Sequence, residues 1–169
     1  MTVHKIVFCG LKGGGKSTIL SRLKENKYNY DLPATLSPTQ ELLSIKDIEL
    51  SVVDLPGQDA YITSWAGYFV GSKAIFFIYD GPDQESYDQA VKTFKDISMA
   101  EEVRKNKIPM FLIINKKDLL DFDLEDSILS LWNRDNYIAQ KIAGAITISA
   151  KTGEGFDQLV VFIYSAVVD

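Results

Sequence analysis

The 169-residue sequence predicts an α/β fold: a six-stranded, mostly parallel sheet with one antiparallel strand and helices on both faces. Three observations carry that expectation. Short apolar runs alternate with amphipathic stretches along the chain, the pattern of repeated strand–helix units. Most of these runs are almost wholly apolar, as strands buried on both faces are. Only one pair of runs meets across a tight turn, at Lys46-Asp47, and that hairpin supplies the antiparallel strand.

Lys5-Ile6-Val7-Phe8-Cys9 reads as the buried first strand, and Glu41 to Ile45 with Ile48 to Val53 as the hairpin. Ala74 to Tyr79, Met110 to Ile114 and Ala145 to Ile148 read as the remaining strands. Between them Tyr87, Ala90, Val91, Phe94 and Ile97 recur at helical spacing, as do Leu124, Ile128, Leu131 and Trp132. A last helix places Phe156, Leu159, Val160, Ile163 and Val167 on one face, and all these residues are expected in the core. No repeat, low-complexity tract or linker interrupts the pattern, so residues 1–169 read as a single domain.

The net charge of −5 argues against a broad footprint on nucleic acid or on an anionic membrane surface. Cys9, the single cysteine, has no partner for an internal disulfide and points to a reducing compartment. No apolar stretch approaches the ~18 residues that span a bilayer. Thr2 in place of glycine excludes N-myristoylation, and Val167-Val168-Asp169 is no prenylation box. The expectation is a soluble, cytoplasmic monomer. His4, opening a strand, is expected to be solvated, and Cys9 to behave as a small buried apolar residue.

In such sheets ligands bind outside the carboxyl ends of the strands, so motifs that carry chemistry should follow strands. Gly10-Leu11-Lys12-Gly13-Gly14-Gly15-Lys16-Ser17 lies between the first strand and a helix and matches G-x-x-x-x-G-K-[ST]. Its glycines let backbone N–H groups converge on phosphate oxygens, and the next helix aims its positive end at the same anion. Lys16 is expected to reach the β and γ phosphates and the Ser17 hydroxyl to hold Mg²⁺, with Lys12, Gly13, Gly14, Gly15 and Thr18 completing the phosphate site.

That loop alone leaves kinases, ATPases and GTPases open. Asn115-Lys116-Lys117-Asp118, after the strand ending at Ile114, narrows the choice. The Asp118 carboxylate can accept both the N1–H and the exocyclic amine of guanine, a donor pair that adenine lacks. Asn115 is expected to hold the loops together and the stem of Lys116 to cover one base face. In Ser149-Ala150-Lys151, after the final strand, the Ala150 N–H could meet guanine O6 and Lys151 could pack over the other face. Asp54-Leu55-Pro56-Gly57-Gln58 also ends a strand. There Asp54 suits Mg²⁺ through a water, the Gly57 N–H suits the γ-phosphate, and Gln58 can orient the attacking water.

With these residues in place the chain resembles a small GTPase of the Ras superfamily over essentially its whole length, and is most similar to the Arf/Sar branch. Gly10-Leu11 through Lys16-Ser17-Thr18-Ile19-Leu20 is similar to the Arf-type phosphate loop and first helix. Ala34-Thr35-Leu36-Ser37-Pro38-Thr39 resembles the Sar-type switch I, P-T-L-x-P-T. Thr35 precedes Asp54 by 19 positions, the short spacing of that branch, which implies Thr35 as the switch ligand to Mg²⁺ with Thr39 as the alternative. The resemblance further implies a P-loop NTPase fold, GTP and GDP as ligands, and an interswitch hairpin over residues 41–53 whose register can slide. It implies activating, exchange and effector proteins bound through the switch regions, Tyr28 to Thr39 and Gln58 to Phe69. Tyr61, Trp65 and Tyr68 either anchor those partners or pack switch II onto the domain.

Three positions depart from that branch. Lys12 stands where Arf relatives commonly carry an acid, and its ammonium either meets the γ-phosphate region or is simply solvated. Pro56 stands where glycine is usual and stiffens the entry to switch II. Only Met1-Thr2-Val3 precede the first strand, where relatives carry an amphipathic helix, so no autonomous membrane anchor is expected. The expected function is a Mg²⁺-dependent, slowly GTP-hydrolysing switch, by resemblance in trafficking or signalling. The alternative is a constitutively GTP-bound binding subunit, favoured by Pro56 and opposed by Gln58.

Overall fold

The computed structural model describes residues 2–29, 32, 35–57 and 59–168, the segment 59–63 by its backbone. The chain runs through β1 (Val3–Gly10), α1 (Lys16–Glu25), β2 (Thr39–Ile45), β3 (Ile48–Asp54) and a 3-10 helix over Asp59–Tyr68. It continues through β4 (Ala74–Asp80), α2 (Tyr87–Met99), α3 (Glu101–Lys105), β5 (Met110–Asn115), α4 (Phe122–Asn133), α5 (Asn136–Lys141), β6 (Ile142–Thr147) and α6 (Phe156–Val167). The six strands form one sheet in the order β2-β3-β1-β4-β5-β6. β2 pairs antiparallel with β3, and the other pairs are parallel.

Alternation along β1 explains its wholly apolar run. Ile6 and Phe8 pack with Ile19 and Leu20 of α1 and Leu159 and Ile163 of α6. Val7 and Cys9 face the opposite layer, where Phe94 of α2, Trp132 of α4 and Ile138 of α5 close the second core. With helices on both faces, an inward strand position has no polar side to offer. Aromatic edges fill that second layer: the Trp132 ring lies 5.3 Å from Tyr79, 5.8 Å from Phe94 and 6.1 Å from Phe77.

The predicted boundaries shift in three places. β1 starts at Val3 and pairs His4 with Leu50, so His4 is half-buried rather than solvated, with Nδ1 buried and unpartnered among the described residues. β2 begins at Thr39 instead of Glu41, because its ladder extends to the Thr39–Asp54 pair. β6 spans Ile142–Thr147 instead of Ala145 to Ile148, entering through a register shift opposite Met110 and Phe111. Gly144 permits this: a Cβ there would lie 2.9 Å from the Phe162 ring. No helix among the described residues is long and apolar enough to cross a membrane.

Candidate functional site

The carboxyl ends of β1, β3, β5 and β6 bring the predicted motifs to one edge of the sheet. After β1 the chain closes on Gly15, at φ 90°, where a Cβ would lie 2.4 Å from Asn115 Nδ2. Helix α1 then starts with no side-chain cap and no acid in its first turn, so its N-terminal amides and dipole are uncompensated. Lys16 heads that helix, buried, and donates from Nζ to the Leu11 carbonyl at 3.0 Å and the Gly10 carbonyl at 3.4 Å. Burial pushes its pKa down, and the Asp54 carboxylate opposes that shift.

Ser17, Thr35 and Asp54 meet beside the loop. The hydroxyls of Ser17 and Thr35 are 2.7 Å apart, and Ser17 Oγ donates to Asp54 Oδ2 at 2.6 Å. Asp54 is 2 % exposed; burial raises its carboxyl pKa, the Ser17 hydrogen bond lowers it, and Oδ1 has no partner among the described residues. A buried carboxylate with an orphaned oxygen is costly unless a cation meets it. Two hydroxyls and a carboxylate are hard oxygen donors, so this set fits Mg²⁺. Thr39 instead sits exposed in β2, opposite Asp54 in the ladder.

At the other end of the edge, buried Asn115 terminates β5 and joins two loops. Its Nδ2 donates to the Gly14 carbonyl at 2.9 Å, and its Oδ1 accepts from the Ala150 N–H at 3.1 Å. The Ala150 amide, expected at guanine O6, is therefore engaged by Asn115, a buried amide that needs its own donor. Lys116, at φ 68°, donates to the Gly13 carbonyl and to Asp80 Oδ2, both at 2.8 Å. Ser149 Oγ donates to Asp118 Oδ1 at 2.7 Å and accepts the Thr152 N–H. A cavity of ≈ 250 Å³ opens here between Thr18, Tyr28, Lys116, Asp118 and the exposed Lys151. A second, of ≈ 350 Å³ and lined by Lys12, Ser17, Thr35 and Gly57, shares Gly15, Thr18 and Lys116 with the first. The two form one trough.

Sequence reasoning missed two residues. Arg22 of α1 donates to the Ala150 carbonyl at 2.6 Å and the Lys151 carbonyl at 2.7 Å, with its guanidinium 5.8 Å from the Phe156 ring centre. Nothing local marks it. Asp80 holds Lys116 and has a second oxygen that is buried and unpartnered among the described residues. Its place at the carboxyl end of a central strand was the available signal.

On the switch side Gly57 packs onto the phosphate loop: a Cβ there would lie 2.5 Å from Lys16 Nζ and 2.6 Å from the Lys12 nitrogen. Trp65 and Phe69 are buried, and Trp65 Nε1 donates to the Pro56 carbonyl at 3.1 Å. Trp65 thus packs the segment instead of offering an anchor, while Tyr68 stays partly exposed. Gln58, the expected water-orienting residue, lies outside the described residues, as do Tyr30, Asp31, Pro33, Ala34 and the Tyr61 side chain. Cys9 is buried as expected, its thiol pushed up to about 12 by burial.

The sequence model of the ADP-ribosylation factor family matches residues 2–167. ADP-ribosylation factor J of Dictyostelium discoideum is 30% identical over 115 residues, 68% of this chain and 60% of that protein. ADP-ribosylation factor-like protein 3 of Caenorhabditis elegans is 26% identical over 131 residues, 78% of this chain and 70% of that protein. The chain thus spans 60–61% of the length of the Dictyostelium relatives it matches. The Arl6 small GTPase of Trypanosoma brucei, solved with the nucleotide analogue GppNp, shares 18% identity over 98% of both chains with a TM-score of 0.81, a likeness of fold. With the family model matching residues 2–167, the chain belongs to the ADP-ribosylation factor family.

Proposed function

We propose that the chain binds GTP or GDP with Mg²⁺ and works as a slowly hydrolysing switch. The observation that carries this reading is the convergence of Ser17, Thr35 and Asp54 beside a phosphate loop that is continuous with the Asn115–Asp118 cavity. Asp118, steadied by Ser149, accepts the guanine N1–H and amine; Lys116 lays its stem along the base while Asp80 and Gly13 hold its ammonium. The uncapped amides at the start of α1 receive the phosphates, and Lys16 exchanges its carbonyl acceptors for phosphate oxygens. Mg²⁺ held by Ser17, Thr35 and Asp54 would neutralise charge on the phosphates. Gln58 orients the attacking water, and the Gly57 N–H meets the terminal phosphate.

Loss of that phosphate releases Thr35 and Gly57, and with them the surfaces from Tyr28 to Thr39 and Gln58 to Phe69 that activating, exchange and effector proteins would read. None of the three arginines, Arg22, Arg104 and Arg134, lines the phosphate cavity. Hydrolysis is therefore slow until a partner supplies one, worth about 10³–10⁵ in rate. The setting in this reading is cytoplasmic, in trafficking or signalling, with the chain acting as a monomeric single domain.

A second reading, a constitutively GTP-bound subunit, is favoured by one contact: the Trp65 bond to Pro56 pins the entry to switch II. Loading the protein with GTP and Mg²⁺ and following the bound nucleotide by chromatography over hours separates the two. Conversion to GDP, abolished by Gln58→Leu, is expected for the switch; stable bound GTP leaves the subunit and a strictly activator-dependent switch, which adding an activating protein then separates.

A further inference from the structure

Three lysines line the phosphate cavity, and they differ in what holds their ammonium groups. Lys16 is buried and bonded to the Leu11 carbonyl. Lys116 is bonded to the Gly13 carbonyl and paired with Asp80. Lys12 is exposed, and among the described residues its side chain makes no hydrogen bond or ion pair. Neither Asp54, bonded to Ser17, nor Asp80, bonded to Lys116, pairs with Lys12. Gly57 packs directly against the Lys12 backbone nitrogen and holds its root, while its tip has no partner among the described residues. A cation on a held root, with no partner among the described residues, thus stands where the phosphate loop meets the strand exit at Asp54–Gly57.

We infer that the Lys12 side chain is a specificity residue for the terminal phosphate of a nucleoside triphosphate, setting the balance between triphosphate and diphosphate binding. The inference rests on the proposed nucleotide site and deepens it. The terminal phosphate brings the largest change in charge between the two ligands, and it reaches farthest toward Gly57 in that reading. An ammonium with no partner among the described residues gains a charge-assisted contact there. Because Lys12 is exposed, salt screens the contact, whereas a purely structural effect of the side chain would not follow ionic strength.

The test compares equilibrium affinities for GDP and for the non-hydrolysable analogue GppNp, both with Mg²⁺, at low and high salt. Lys12→Met and Lys12→Gln should lose roughly tenfold more affinity for GppNp than for GDP, and Lys12→Arg should keep the wild-type ratio. The difference should shrink at high salt. Equal losses for the two nucleotides, or an unchanged ratio, would overturn the inference while leaving the nucleotide site standing. Wild-type protein that held neither nucleotide would overturn the site itself, and the inference with it.

Discussion

Around the Asp118 side of the trough, Asn115, Lys116 and Arg22 each join separate segments through bonds of 2.6–3.1 Å. The phosphate loop, the end of β4, the end of β5 and the Ala150–Lys151 loop are thereby tied together by contacts within the protein. On the switch side, among the described residues, Thr35 meets Ser17 through their hydroxyls, Trp65 bonds to the Pro56 carbonyl, and Gly57 rests on the loop by packing. The Asp118 half is thus held by contacts among protein groups, whereas Thr35, Ser17 and Asp54 meet at the phosphate end. The contacts of Thr35, Ser17 and Asp54 are the ones a cation would take over, so that half is where ligand state can be felt.

The comparison can be broken most severely at Asp118. Asp118→Ala should lower GDP affinity by at least ~10³-fold by removing the acceptor for guanine's two donors, with little change in melting temperature because the residue is exposed. A competition assay that found GDP affinity within a few-fold of wild type would remove the guanine assignment. Next, Asn115→Ala leaves the Gly14 carbonyl and the Ala150 N–H without their partner in a buried place. A loss of about 2–4 kcal/mol is expected in both nucleotide binding and folding, read by calorimetry and thermal melting. Affinity falling with no change in melting would mean that the guanine side is not pre-assembled.

Arg22→Gln sharpens the same point at smaller scale. Losing two bonds to loop carbonyls should speed GDP release by roughly tenfold, about 1–2 kcal/mol, measured with a fluorescent nucleotide. The smallest effect belongs to the metal corner. Burial holds the Asp54 carboxyl pKa above its ordinary value, so Asp54 favours the nucleotide-free fold at pH below the unfolded carboxylate range. That contribution is lost as pH rises through the raised folded pKa. Asp54→Asn should therefore melt a few degrees higher than wild type at neutral pH without nucleotide, and the gap should close toward pH 4. The same variant should lose Mg²⁺-dependent nucleotide retention. A variant less stable than wild type at neutral pH would contradict the burial argument.

The sheet and the motifs were readable because each rests on local spacing. Gly10 to Ser17 and Asn115 to Asp118 are contiguous, and the central runs of β1, β4 and β5 are long enough to show that both faces are apolar. Where spacing gave out, so did the reading. Gly144 broke the β6 run because it makes room for Phe162, and α3 and α5, with 5 and 6 residues, are too short for a 3.6-residue period to show. Arg22 and Asp80 become site residues only through contacts 128 and 36 positions away. Whether Trp65 anchors a partner or packs inward is decided by the Pro56 carbonyl and the core beneath it, which no local pattern encodes.

The central claim is that this trough is a guanine-nucleotide site. Its most direct test is retention of labelled GDP by the purified protein with Mg²⁺, challenged by unlabelled GDP or ADP. One GDP is expected per chain, displaced by GDP and not by ADP even at ~1,000-fold excess. A protein that retains no GDP, or releases it equally to ADP, would contradict it.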